Sequence, residues 1–268
     1  MADTVLRRRL LNVLPLLAFF VVVLWTSLPA GLDSLVGGVN IPVLTGADDM
    51  VVAYGASDGG SLMRAAMSLL QNHAVTDDQR WVFNFWPPGM VILDVGLLVL
   101  SSATGVPVVL LMVVTNCLIV AAFLGCMFLF IRTVGGLVPA VVFGVGALLY
   151  SGVGNWSLDR GLFYGDSYGV FAFCLSLVSL AMAHRAPTVR SRWVWTGLAG
   201  VALALAAHFR ASFEIVADGT LVLAALVLVV AVLARWGGRW AGFRRWAFAG
   251  VLPLGALAAL AQVLMLPW

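Results

Sequence analysis

The sequence predicts an all-α, polytopic membrane helical bundle of about seven to eight hydrophobic segments, with an extracytoplasmic loop that carries an interfacial amphipathic helix. Three observations predict it. Mean hydropathy is +1.05, and 62% of residues are hydrophobic against 10% charged, a balance outside the range of soluble domains. Apolar runs of membrane-helix character recur from residue 10 to residue 267. The charges collect in the breaks, and five of the twelve acids (Asp48, Asp49, Asp58, Asp77 and Asp78) lie in a single polar stretch, 46–89. No soluble domain is left over. Residues 1–268 read as one transmembrane domain, with 31–86 as its first extracytoplasmic loop and 87–268 as the bundle.

Taken in order, Arg7, Arg8 and Arg9 precede an apolar run from Leu10 to Leu28. Ser27-Leu28-Pro29-Ala30 is a poor small-x-small cleavage site, so the run predicts an uncleaved signal-anchor of a multi-pass plasma-membrane protein, N-terminus cytoplasmic. Ser57-Asp58-Gly59-Gly60 then reads as a turn entering a helix, with Ser57 or Asp58 as its cap. Leu62, Ala65, Ala66, Leu69 and Leu70 recur at helical spacing, an amphipathic pattern suited to lying along a bilayer surface. Trp81, Phe83, Phe85 and Trp86 form an interfacial aromatic group, and Pro87-Pro88 opens the next helix.

Further apolar runs follow at 87–103, 107–131, 135–151, 168–184, 194–212, 213–234 and 246–267. Arg185, Arg190 and Arg192 mark one cytoplasmic loop; Arg235, Arg239, Arg244 and Arg245 mark another. Residues 86 and 152 both then fall outside with three apolar runs between them, so one run cannot fully cross. The run at 135–151 carries Gly135, Gly136, Pro139, Gly144 and Gly146 and is the expected exception.

Composition also narrows the function. All fifteen basic residues are arginine and eleven of the twelve acids are aspartate, a bias of genome composition that by itself says nothing of phosphate recognition. The pI near 9.1 follows from positively charged cytoplasmic loops, so no nucleic-acid partner is expected. Cys117, Cys126 and Cys174 lie in apolar runs without metal-ligand spacing and read as packing residues; His73, His184 and His208 are scattered.

The order of features resembles the GT-C class of membrane glycosyltransferases, in particular its protein-mannosyltransferase and aminoarabinose-transferase-like group. The carrying residues are SDGGSLMRAAMSLLQ (57–71), FWPPGMVIL (85–93) and LFYGDSYGVFAFCLSLVSLAMA (162–183). The likeness extends over about residues 1–215, matching the N-terminal membrane portion of the class. It implies transfer of a sugar from a polyprenyl-phosphate carrier, among membrane lipids, to an acceptor glycan or protein on the outer face. It implies that Asp58 is the catalytic base, with Asp49 of the Asp48-Asp49 pair as the alternative. Asp166, and with it Asp159, would orient the acceptor or hold a divalent cation; no other cofactor is implied. Arg64, Arg160 and Arg210 are the outer-face cations available to the leaving phosphate, and Trp86 belongs to the scaffold beside the substrate.

Plainer roles stand beside these. Asp58 and Asp166 each suit a helix cap, Arg64 suits a lipid phosphate, and Arg210 suits an ion pair with Glu214 or Asp218, four and eight residues on. Asp94, seven residues beyond Pro87, is an intramembrane carboxylate, which is a functional hypothesis by default. A non-catalytic GT-C-like subunit that binds a lipid carrier is a second function compatible with these features. A transporter or flippase is a third, though no inverted repeat of broken helices is visible.

Overall fold

A computed structural model describes residues 13–18, 20–25, 58–74, 76–77, 79–149 and 166–233, with a few residues between 247 and 259. Every regular element among them is helical. They are α1 (Val13–Trp25), α2 (Asp58–Asn72), a 3-10 turn (Arg80–Asn84), α3 (Gly89–Thr104), α4 (Val108–Gly135), α5 (Leu137–Leu149), α6 (Asp166–Arg185), α7 (Val189–Phe209) and α8 (Ser212–Leu233). Among the described residues three helices are long and apolar enough to cross a membrane: Leu110–Gly135 of α4, Ser167–Arg185 of α6, and α8. α1, α3 and α5 are apolar but shorter.

Local chemistry sets the breaks. Gly105 ends α3 at φ 70°, where its N–H donates to the Ser101 carbonyl, a left-handed cap that favours glycine. The Ser101 hydroxyl donates to the Val106 carbonyl at 2.7 Å, and Pro107 then leads into α4. Thr188 caps α7, its hydroxyl accepting from the Ser191 N–H at 3.1 Å.

The direction of each helix follows from which residues meet. Cys117 of α4 lies within electrostatic range of Tyr168 at the start of α6, and Cys126 lies within range of Cys174 farther along it. α4 and α6 therefore run parallel. α5 folds back along α4 through Gly136, burying Ala140 against Val120, Ala121, Leu124, Phe128 and Val23 of α1. α6 and α7 form an antiparallel pair, the most extensive helix contact among the described residues.

Of the three runs between residues 86 and 152, Gly89–Thr104 and Leu137–Leu149 are the shorter helices, as expected for the second, and Leu110–Gly135 is long enough to cross a membrane. α3 starts in the same apolar cluster as Tyr168, and the chain is back against that cluster at Ile119. α3 and the first turns of α4 thus leave and return as a hairpin, while the rest of α4 and α5 make the antiparallel pair. α4 has 28 residues, about 42 Å at 1.5 Å per residue, against the ~30 Å of a hydrocarbon core. The Gly and Pro content of 135–151 does not prevent Leu137–Leu149 from being a regular helix.

α2 differs from expectation as well. Leu62, Ala65 and Ala66 are buried against the 3-10 turn and α3, so protein rather than lipid covers the apolar face. At the other end of the chain Ala217, Ala224 and Ala231 are buried along one side of α8, and a Cβ at Gly255 would lie 2.9 Å from that of Ala224. Small residues let a second backbone approach that side. Val222, Leu223, Leu226 and Val229 stay exposed, as on a helix solvated by acyl chains.

Candidate functional site

Five elements meet at one end of the α6–α7 pair. Leu62, Ala65 and Ala66 of α2, Val82 of the 3-10 turn, Met90 and Val91 of α3 and Tyr168 of α6 form a single buried cluster, with Trp86 and Phe209 packed against it. Tyr168 stacks on Phe209 with ring centroids 5.3 Å apart, and Phe173 stacks on Phe213 at 5.2 Å. These two stacks hold the start of α6 against the α7–α8 turn.

Two glycines set how close the elements come. A Cβ on Gly89 would overlap the His208 carbonyl oxygen and lie 2.8 Å from its carbon. At Gly169 it would lie 3.0 Å from the Phe213 ring and 3.3 Å from the Arg210 Cβ. Gly89→Ala is therefore expected to separate α3 from α7 and to cost about 1–3 kcal/mol. A detergent thermal melt checks this: the midpoint falls for Gly89→Ala and holds for Gly96→Ala on the same helix, where an added Cβ meets nothing within 4 Å.

The residues singled out from the sequence fall on this frame as follows. Asp58 and Asp166 are each the first residue of a helix, α2 and α6. Asp58 is four residues before Leu62, and Asp166 two before Tyr168, so both helix starts are tied to the shared cluster. Gly169, which meets Arg210, lies one helical turn beyond Asp166. Arg210 is exposed, and its Nε donates to the Ser212 hydroxyl at 3.2 Å. Arg64 is half-buried and donates to the Ser61 hydroxyl at 3.2 Å. Trp86 packs edge-on to Trp81 at 6.0 Å and tilted against Phe85 at 5.7 Å. Asp49, Asp159 and Arg160 lie outside the described residues. Asp77 pairs with Arg80 at 3.2 Å, both largely exposed, a contact of little energetic weight.

A cleft of about 210 Å³ opens at the same end, lined by Phe83, Asn84, Phe85, Trp86, Pro87, Pro88, Ala211 and Glu214. Glu214, which a spacing of four residues offers to Arg210 as an ion-pair partner, is its one ionisable lining group among the described residues. No local pattern marks this wall, because it unites the 3-10 turn with the start of α8, more than 120 residues away.

Asp94 lies farther along α3. It is 2% exposed, and its Oδ1 has no hydrogen-bond partner among the described residues. Tyr168 is within electrostatic range. Among the described residues no group of three or more His, Cys, Asp or Glu side chains comes together to hold a metal ion.

No family model, curated protein or solved structure matches this chain.

Proposed function

We propose that this chain is a multi-pass plasma-membrane glycosyltransferase, or the membrane half of one, which transfers a sugar from a polyprenyl-phosphate carrier to an acceptor on the outer face. One observation carries the reading. Two helices that begin with aspartate, α2 and α6, are anchored to the apolar cluster that also receives the end of α7, beside the turn that bears Arg210. The orientation is that of the charge distribution: Arg185, Arg190 and Arg192 at the opposite end of α6 and α7 face the cytoplasm, and the clustered end faces out. In the seven-to-eight-segment reading the N-terminus is then cytoplasmic.

The chemistry requires a base and a counter-charge. The acceptor hydroxyl attacks the anomeric carbon and forms the new C–O bond, while the bond to the carrier phosphate breaks and the phosphate leaves with the electron pair. Asp58 takes the hydroxyl proton as general base. Arg210, with Arg64 and Arg160, compensates the phosphate; a guanidinium stays charged throughout and can grip two oxygens. Asp166 orients the acceptor.

Mass spectrometry of lipids that co-purify in mild detergent tests this. Polyprenyl phosphate, bare or glycosylated, is expected on the wild-type chain and strongly depleted from an Arg160→Ala, Arg210→Ala double variant. Bulk phospholipid alone on both would overturn the reading.

A further inference from the structure

We infer that the cleft between the 3-10 turn and the α7–α8 turn is the subsite for one pyranose ring of the carrier-linked sugar, and that Glu214 is a specificity-determining residue within it. This deepens the proposed transferase reading and rests on it. The size fits, since about 210 Å³ is below the ~300 Å³ of the smallest drug-sized pockets and leaves room for one sugar ring.

The lining chemistry fits too. Phe83, Phe85 and Trp86 bring aromatic rings to the cleft, and the electron-rich face of such a ring attracts the weakly positive C–H face of a pyranose. Trp81 stands edge-on to both Phe85, at 6.2 Å, and Trp86, at 6.0 Å, and supports them from behind. Glu214 and Asn84 supply what a polyol needs: a carboxylate that accepts from two hydroxyls, and an amide that both donates and accepts. Glu214 is the only glutamate in a chain with eleven aspartates.

The lining also excludes the phosphate. Among the described residues no basic side chain lines the cleft, and the carboxylate repels an anion. Arg210 sits one residue before Ala211, which lines the cleft. A glycosyl phosphate can thus place its phosphate at Arg210 and its ring on the aromatic wall. The bond to be broken then lies between them, at the end where α2 and α6 begin.

Saturation-transfer NMR on the full chain in lipid nanodiscs, free of glycoside detergents, tests this with methyl α-D-mannopyranoside, methyl β-D-glucopyranoside and methyl β-D-galactopyranoside as probes. Ring C–H protons of at least one probe are expected to receive saturation. Glu214→Gln, which preserves volume, is expected to weaken binding about tenfold or more, and Trp86→Ala to abolish it. Trp25→Ala on α1, which removes a largely exposed indole, leaves it unchanged. Co-purified polyprenyl phosphate with no saturation of any hexoside would overturn the sugar subsite and leave the carrier reading standing. Saturation undiminished in both cleft variants would place the sugar elsewhere, and transfer to acyl-chain protons alone would make the cleft a lipid site. Absence of the carrier as well would instead count against the transferase reading itself.

Discussion

Asp58→Asn is expected to reduce sugar transfer by about 10²–10⁴-fold, the usual contribution of a general base, while the chain still inserts and folds. The substitution separates the two roles open to this residue. Asp58 is the first residue of α2, where a carboxylate favours the helix dipole by about 0.3–1 kcal/mol, so Asn costs no more than that and the helix keeps its first turn. The amide cannot take a proton from the acceptor hydroxyl, so only the base is lost. Asp58→Ala removes the charge and the polar side chain together, at a similar helix-dipole cost of about 0.3–1 kcal/mol; the difference in thermal midpoint between the variants measures the structural part. The assay follows a radiolabelled sugar from polyprenyl phosphate into acceptor, in membranes matched for protein level. Full activity in Asp58→Asn would remove Asp58 as the base. If Asp49→Asn were then inactive, the base would be Asp49; if both were active, the non-catalytic subunit would be the better reading.

How much of this was legible in the sequence depends on the range of the signal. Helix positions were legible because hydrophobicity and punctuation are local: the run at 87–103 is α3 (Gly89–Thr104), and the run at 213–234 is α8 (Ser212–Leu233). The start of α2 at Asp58 was legible from Ser57-Asp58-Gly59-Gly60 for the same reason. What covers a face was not. Leu62, Ala65 and Ala66 have the same spacing whether they meet lipid or protein, and here the 3-10 turn and α3 cover them. Length was legible in the same way: the run at 135–151, read as short, is a helix of 13 residues, Leu137–Leu149, and its glycines and proline do not break it. The site was legible as separate parts. Asp166 and Arg210 could be named, but the approach of α6 to the α7–α8 turn depends on Gly169 meeting Phe213, a contact between residues 44 positions apart in sequence. Glu214 could be seen only as a neighbour of Arg210, since its place in the cleft is fixed by Trp86, Pro87 and Pro88 from the far side.

Asp94→Leu is expected to stabilise the chain, by about 1–3 kcal/mol on the scale of unsatisfied buried polar groups. Leucine has the branching and the number of side-chain heavy atoms of aspartate, but its methyl groups are bulkier than carboxylate oxygens, so some repacking offsets part of the gain. It removes an oxygen that is buried without a hydrogen-bond partner among the described residues. Asp94→Asn keeps the shape but leaves polar atoms in the same apolar surroundings, and should gain less. Thermal melts in detergent rank the three proteins: leucine highest, asparagine next, wild type lowest. A lower midpoint for Asp94→Leu would show instead that the carboxylate is satisfied in the folded chain. The expected order makes Asp94 a cost retained by the fold, and a buried acid among apolar helices is kept where function uses it. Asp94 is within electrostatic range of Tyr168, two residues from Asp166, on the helix whose first residue, Gly89, presses on the end of α7. A gain in stability for Asp94→Leu accompanied by a loss of transfer would therefore tie this carboxylate to the site at the cluster end, through the trade between stability and activity that functional positions show.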